Sequence, residues 1–329
     1  MIRRILNSRL PLMVVTPVKV FDVRYFESIY SAGALPVFDT EFLSSETILS
    51  HLETLSRQEL SFGVRLSDHD SDLIQEIKAK QMINLDALVV PFDPTDTSAD
   101  FNDFGDTRII LEIKDINMNE QIDDLGPHAL ILKGNEAGGK VSRYSSFILM
   151  QWYLENSELP VFIHGGVGRY TAAGMFAAGV SGLVMDSQFI MTDEAPVSNN
   201  LKKLMGMVDE SDSTEIIYND ETIYRVFAKL GTKIVKDLKH QAAELTDDPI
   251  GGRKVYQAVT DNMAEFDKDD VQFIQSLFYL GQDGVFAKDF VKDSTSIKEI
   301  IPAFFRTIGE NLNDIDSHDP IRPDSELAK

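Results

Sequence analysis

Leu159-Pro-Val-Phe-Ile-His-Gly-Gly-Val-Gly168, followed by Arg169 to Gly179 and by Val180-Ser-Gly-Leu-Val-Met-Asp-Ser-Gln-Phe-Ile190, decides the fold. The apolar run Val161-Phe162-Ile163 ends in Gly165, Gly166 and Gly168. A helix-compatible, alanine-rich segment follows (Ala172, Ala173, Ala177, Ala178), and Gly179 is placed to close it. A second apolar run, Leu183-Val184-Met185, ends at Asp186-Ser187. Strand, glycine turn, helix and strand make one parallel βαβ unit. Glycine at a strand's C-terminal end lets backbone N–H groups meet a ligand with no Cβ between, and the helix start beyond it favours an anion such as phosphate. The plainer alternative is that short βα turns need glycine for positive φ whether or not anything binds.

Reading outward, the same pattern recurs. Pro11–Val15, Gly33–Phe38, Ser61–Leu66, Ala87–Phe92, Arg108–Ile113 and His128–Lys133 precede the two strands above. Helical segments separate most of them. Asp22, Ser44 or Ser45, and Asp70 stand where helix caps are needed. Several strands are apolar at consecutive positions, as strands buried on both faces are. Eight such units predict a (β/α)8 TIM barrel rather than an open doubly wound sheet. Its glycine turns then follow strands six, seven and eight, where barrels frequently bind phosphate.

Past Gln188 the pattern changes. Residues 1–208 are predicted to form the barrel core and 209–295 a mostly helical lobe inserted after strand eight. Residues 296–312 are the closing helix, and 313–329 an acidic tail or linker. Within the lobe the spacing predicts helices over Tyr224–Leu238, Ala258–Asp267 and Asp270–Leu280, and turns over Asp209–Asp220.

Of 329 residues, 53 are acidic and 31 basic, a formal charge of −22, which disfavours nucleic acid and anionic membranes as partners. Cysteine is absent, so disulfides, thiolate metal sites and a thiol nucleophile are excluded. No apolar run reaches the roughly 18 residues of a membrane span, and the N-terminus lacks a secretion signal. A cytoplasmic location is the expectation. The six histidines show no metal-ligand spacing. The cluster Asp68, His69, Asp70 and Asp72 reads as a helix start. No Gly-x-Ser-x-Gly elbow or Gly-x-Gly-x-x-Gly turn supports a hydrolase or a Rossmann domain.

At Gly134-Asn-Glu-Ala-Gly-Gly139 and Gly165-Gly-Val-Gly168 the chain resembles the nitronate monooxygenase family, also called 2-nitropropane dioxygenase-like, which includes flavin-dependent enoyl-acyl carrier protein reductases. The resemblance covers about Pro11 to Glu194 and implies a (β/α)8 barrel with a helical lobe and non-covalent FMN. It implies that Gly165 and Gly166 hold the phosphate with Ser187 nearby, Asp186 standing where a glycine is usual. It puts Lys133, Gly134, Glu136, Ala137, Gly138 and Gly139 beneath the isoalloxazine and substrate. The family's catalytic histidine position is Lys140 here. Val14, Thr16 and Pro17 replace the first strand's usual glutamine, proline and methionine. The loop Gly281-Gln-Asp-Gly-Val-Phe-Ala-Lys-Asp-Phe290 also resembles domains of this kind in polyketide- or polyunsaturated-fatty-acid-synthase-like chains.

Two functions follow from that resemblance. One is an FMN oxidoreductase, with NAD(P)H as a possible electron donor, acting on a small or acyl-carrier-bound enoyl thioester or a nitronate. Lys140 or His164 would then steady the developing enolate, and Lys133, Gly134, Gly138, Gly139, Gly165, Gly166, Asp186 and Ser187 would contact the cofactor. The other is a catalytically degenerate barrel serving as a scaffold beside neighbouring synthase domains. His164 is open between a catalytic and a core role. Glu136 reads as a turn acceptor, Arg169 as a phosphate contact or a solvated charge, and Lys19 and Asp22 as surface.

Overall fold

The computed structural model describes residues 5–67, 70–94, 101, 103–116, 119–218, 222–229, 231–245, 248, 250–269 and 275–317. Asp68 and His69 lie outside them, as do residues 318–329 of the acidic tail.

Eight parallel strands close on themselves: β1 (Leu12–Val15), β2 (Leu35–Asp39), β3 (Phe62–Arg65), β4 (Leu85–Pro91), β5 (Arg108–Ile113), β6 (Ala129–Lys133), β8 (Val161–His164) and β9 (Gly182–Met185). β9 returns to pair with β1, Leu183 opposite Leu12 and Met185 opposite Val14. The eight predicted strands are the eight staves of this barrel, and the (β/α)8 fold stands.

Side chains alternate across each stave. Met13, Val15, Leu35, Val37, Ala87, Val89, Ile110, Ala129, Ile131, Phe162 and Val184 fill the interior. Their neighbours, among them Val14, Phe38, Val64, Leu88, Leu111, Leu132 and Ile163, face the helices. Gly182 is glycine because a Cβ there would lie 2.3 Å from the Phe162 ring.

The helices start where short polar side chains cap them. Asp22, Ser44, Asp70 and Ser145 accept from the second or third helical amide of α1 (Val23–Ala32), α2 (Ser45–Ser56), α3 (Ser71–Lys80) and α5 (Ser146–Asn156). A short α4 (Asn119–Leu125) joins β5 to β6. α6 (Thr171–Ala178) ends at Gly179, whose φ of +114 suits glycine. After β9 come α7 (Asn199–Met205) and, last in the chain, α11 (Ile297–Ser317), which packs on α1 and α6.

Between α7 and α11 the predicted helices are partly wrong. Ser213–Tyr218, in the stretch expected to be turns, and Thr222–Phe227 are strands β10 and β11, which form a sheet with β7 (Gly139–Val141) in the order β10-β11-β7. Helix resumes only as α8 (Lys233–Glu244), after Gly231 at φ +79. Tyr224–Leu238 is therefore strand, turn and helix. Its buried Val226 and Phe227 fit a helical spacing equally well, but β11 is the central strand and buries consecutive residues. α9 (Gly251–Asp261) precedes an extended stretch in which Leu277 and Phe278 bridge to Met263 and Phe227. The described part of Asp270–Leu280 is thus extended rather than helical. α10 (Ala287–Phe290) follows a 3-10 turn over Gln282–Phe286.

A candidate active site closed from within

The same alternation fixes what stands at the C-terminal mouth, where barrels of this kind place their chemistry. Two residues beyond the interior layer, in the same phase, come Asp39, Arg65, Glu112, Lys133 and His164. Register pairs Asp39 with Arg65 and Lys133 with His164. All five are buried.

Arg65 is the hub. Its Nε and second terminal nitrogen hold the Glu112 carboxylate at 2.7 and 3.0 Å. Its other terminal nitrogen reaches Asp39 at 3.2 Å and Glu41 at 3.4 Å. Lys114 adds a 3.3 Å contact to Glu112. From the segment after β9, the hydroxyls of Tyr256 and Tyr279 donate to Glu41 at 2.8 and 3.1 Å. Thr16 accepts the Asp39 amide at 3.2 Å.

Burial raises Glu41, outweighing Arg65. Burial also acts upward on Glu112, but the charges of Arg65, Lys133 and Lys114 prevail and hold it well below the usual carboxylate range. Burial, aided by Arg65, pulls the Lys133 ammonium down to about 8. That ammonium lies 6.0 Å from the centre of the Tyr279 ring.

The glycine turn after β8 has the shape the sequence implies. Gly165 and Gly166 take φ of +109 and +68. Thr171 stitches the turn, accepting from the Gly168 amide at 2.9 Å and donating to the Gly166 carbonyl at 2.7 Å.

What faces this turn is acidic. Glu136 accepts from the Ser146 amide at 3.0 Å and from its hydroxyl at 3.3 Å, capping α5. A Cβ on Gly165 would lie 3.3 Å from the Glu136 carboxylate. Asp283 arrives from the 3-10 turn, 1% exposed, and the Gly166 amide lies against its carboxyl. Asp186 pairs with His164 Nε2 at 3.2 Å and accepts the Ser187 amide.

A phosphate dianion fits this seat poorly. It would meet the Asp186, Glu136 and Asp283 carboxyls where the resemblance implies the Gly165 and Gly166 backbone with Ser187 nearby. The Ser187 hydroxyl is already taken by the Gly281 amide at 3.3 Å. The remaining positions are filled as well. A Cβ on Gly138 would lie 2.8 Å from the Leu280 carbonyl carbon, and one on Gly139 would fall 1.8 Å from the Tyr279 hydroxyl. Gly134 abuts the Ser146 backbone, and its amide donates to the His164 carbonyl at 2.9 Å.

Lys140 is exposed on β7 opposite Tyr224, and its charge acts on Lys114 at the mouth. His164 is buried with Nδ1 unpartnered. Arg169 lies over Phe290 and 3.4 Å from Asp293. Lys19 sits over the Phe42 ring. Asp22 is the α1 cap. Among the described residues no group of His, Asp and Glu could hold a metal ion, and no helix is long and apolar enough to cross a membrane.

Sequence reading missed Asp39, Arg65, Glu112, Tyr279 and Asp283. The first three were findable: each is a charge set into an apolar strand at its inward phase.

Asp186 gives a pH test. Burial pushes its carboxyl up, but the His164 hydrogen bond and charge, with the Ser187 amide, outweigh that and hold it below its ordinary 3.8. The unfolded chain therefore takes up this proton first as pH falls. The contribution is present above about pH 4 and lost below it. Asp186→Asn is expected to flatten the fall in urea midpoint between about pH 5 and pH 3; an unchanged slope would refute the pairing.

These features define a parallel barrel whose functional end is covered by the segment that follows its last strand. The chain belongs to the nitronate monooxygenase family, whose family model matches residues 59–302. Over 120 residues it is 31% identical to a (3aS,4S,5R,7aS)-5-hydroxy-7a-methyl-1-oxo-octahydro-1H-indene-4-carboxyl-CoA dehydrogenase of Rhodococcus jostii. That match spans only 35% of this chain and 32% of the relative.

Among solved structures, FabK from Thermotoga maritima superposes with a TM-score of 0.78 at 15% identity, over 95% of this chain and 97% of that one. The enoyl reductase domain of MlnA from the Bacillus amyloliquefaciens macrolactin cluster gives 0.67 at 13%, over 93% and 95%. A nitroalkane oxidase from Streptomyces ansochromogenes gives 0.67 at 13%, over 94% and 98%. At these identities the likeness is one of fold.

Proposed function

We propose that this chain is a flavin-free member of its family, a barrel kept as a structural module rather than as an oxidoreductase. One observation carries the reading. The mouth where a flavin ring would lie is occupied by the Arg65 ion cluster, capped by Tyr256 and Tyr279. Arg65, Glu112, Lys133 and Ala137 are each 3% exposed or less, so the mouth is packed as a core is packed. The role that fits is a scaffold beside neighbouring synthase domains, since this chain's loop Gly281–Phe290 resembles barrels of this kind within synthase-like chains.

A second reading retains FMN chemistry, with enoyl-thioester reduction or nitronate oxidation as the reaction. It is favoured by the positive φ of Gly165 and Gly166, which keep the shape of an anion-binding turn. FMN would supply hydride chemistry, Gly165, Gly166 and Ser187 would hold its phosphate, and residues 277–284 would have to leave the mouth. Colour separates the two. The purified protein is expected to lack the flavin band near ~450 nm and to take up no added FMN. A yellow protein with stoichiometric flavin would end the structural-module reading.

A further inference from the structure

The turn Gly281-Gln-Asp-Gly284 is built to reach the glycine turn, not merely to pass it. A Cβ on Gly281 would lie 2.4 Å from the Glu136 carbonyl, and one on Gly284 would lie 3.3 Å from the Ser187 side chain. The Gly281 amide donates to Ser187. Gln188 donates from its side-chain nitrogen both to the Val167 carbonyl and to Asp283 Oδ2, each at 3.0 Å. These contacts set one carboxyl against Gly166 and Gln188.

The fit is incomplete. Asp283 Oδ1 is buried with no hydrogen-bond partner. Burial, then the Asp186 and Glu136 charges, raise the Asp283 pKa well above its ordinary range, against the Gly166 amide. Arg225 on β11 is the cation facing this group, and it also faces Glu136. A buried acid that leaves one oxygen unmatched is what a seat shaped for a larger oxyanion would give a carboxyl.

We propose that Asp283 is an internal ligand occupying a phosphate seat, and that the seat regains phosphate-ester binding when this carboxyl is removed. The inference rests on the flavin-free reading and deepens it. The anion recognised is a phosphate monoester, held by the Gly166 amide and the Gln188 side-chain nitrogen that now meet the Asp283 carboxyl. Asp186 and Glu136 remain as opposing charges, so neutralising Glu136 should add to the gain.

The test uses the full chain. Wild type, Asp283→Ala and Asp283→Ala/Glu136→Gln are titrated with FMN, followed by quenching of flavin fluorescence. Inorganic phosphate serves as competitor, and circular dichroism checks the fold. Wild type is expected to show no saturable binding. The single variant is expected to bind at least ~10-fold more tightly than wild type, the double variant more tightly again, and phosphate should displace FMN from both. Should the alanine variant not fold, Asp283→Ser, which keeps a hydroxyl near Gln188, carries the same expectation. A folded variant with no gain overturns the internal-ligand inference and leaves the flavin-free reading intact. Equal binding by wild type and variant overturns both.

Discussion

Arg65→Ala lowers the unfolding free energy by about 3–5 kcal/mol, the cost of leaving buried carboxylates without their cation. Asp39, Glu41 and Glu112 all face this one guanidinium, and the hub and its partners are at most 5% exposed. Water cannot replace the lost donors, so Glu112, now held low by Arg65, must take up a proton or draw solvent into the barrel. The measurement is the urea midpoint at neutral pH. Adding Glu112→Gln to the variant should recover part of the loss, because one orphaned charge is then removed. A midpoint within error of wild type would mean that the cluster is open to solvent, and the packed-mouth argument would fall with it.

Gly139→Ala carries the second large effect, about 2–5 kcal/mol. Two costs combine. The residue sits at φ +78, a conformation that costs a side-chain-bearing residue about 1–2 kcal/mol. The new methyl would also coincide with the Tyr279 phenol, 1.8 Å from its hydroxyl, and overpacking of this kind costs about 1–3 kcal/mol. Moving Tyr279 aside breaks its bond to Glu41 and uncaps the ion cluster. Gly126→Ala is the control, since it has φ +59 but open space around its would-be Cβ, and only the backbone cost of about 1–2 kcal/mol is expected there. Equal urea midpoints for the two variants would show that Tyr279 does not press on Gly139.

The barrel was legible because its signal is repeated. Eight apolar runs with capped helices between them leave few alternatives, and Asp22, Ser44, Asp70 and Gly179 mark their boundaries chemically. The strands β10 and β11 were not legible. β10 lies in an acidic stretch that reads as turns, while the apolar residues of β11 satisfy a helical spacing as well as a strand's, and only its pairing with the distant Gly139–Val141 decides. The site divided along the same line. The glycine turn and its positive φ followed from local sequence. Its occupant did not, because Asp283 stands 95 residues from the Gln188 that holds it and looks locally like any aspartate in a turn. Arg65 was legible as a charge at the inward phase of β3, but its partner was not: Glu112 lies 47 residues away, and nothing local pairs the two.

The bond from Tyr279 to Glu41 joins positions 238 residues apart, which has a consequence during synthesis. A ribosome delivers the eight staves well before it delivers the phenol that covers them. Until then Asp39, Glu41 and Glu112 stand in an uncovered mouth and hydrate freely. Drying of that end must therefore wait for residue 279, so a nascent chain halted before it holds a wet, charged funnel where the longer chain holds a lid.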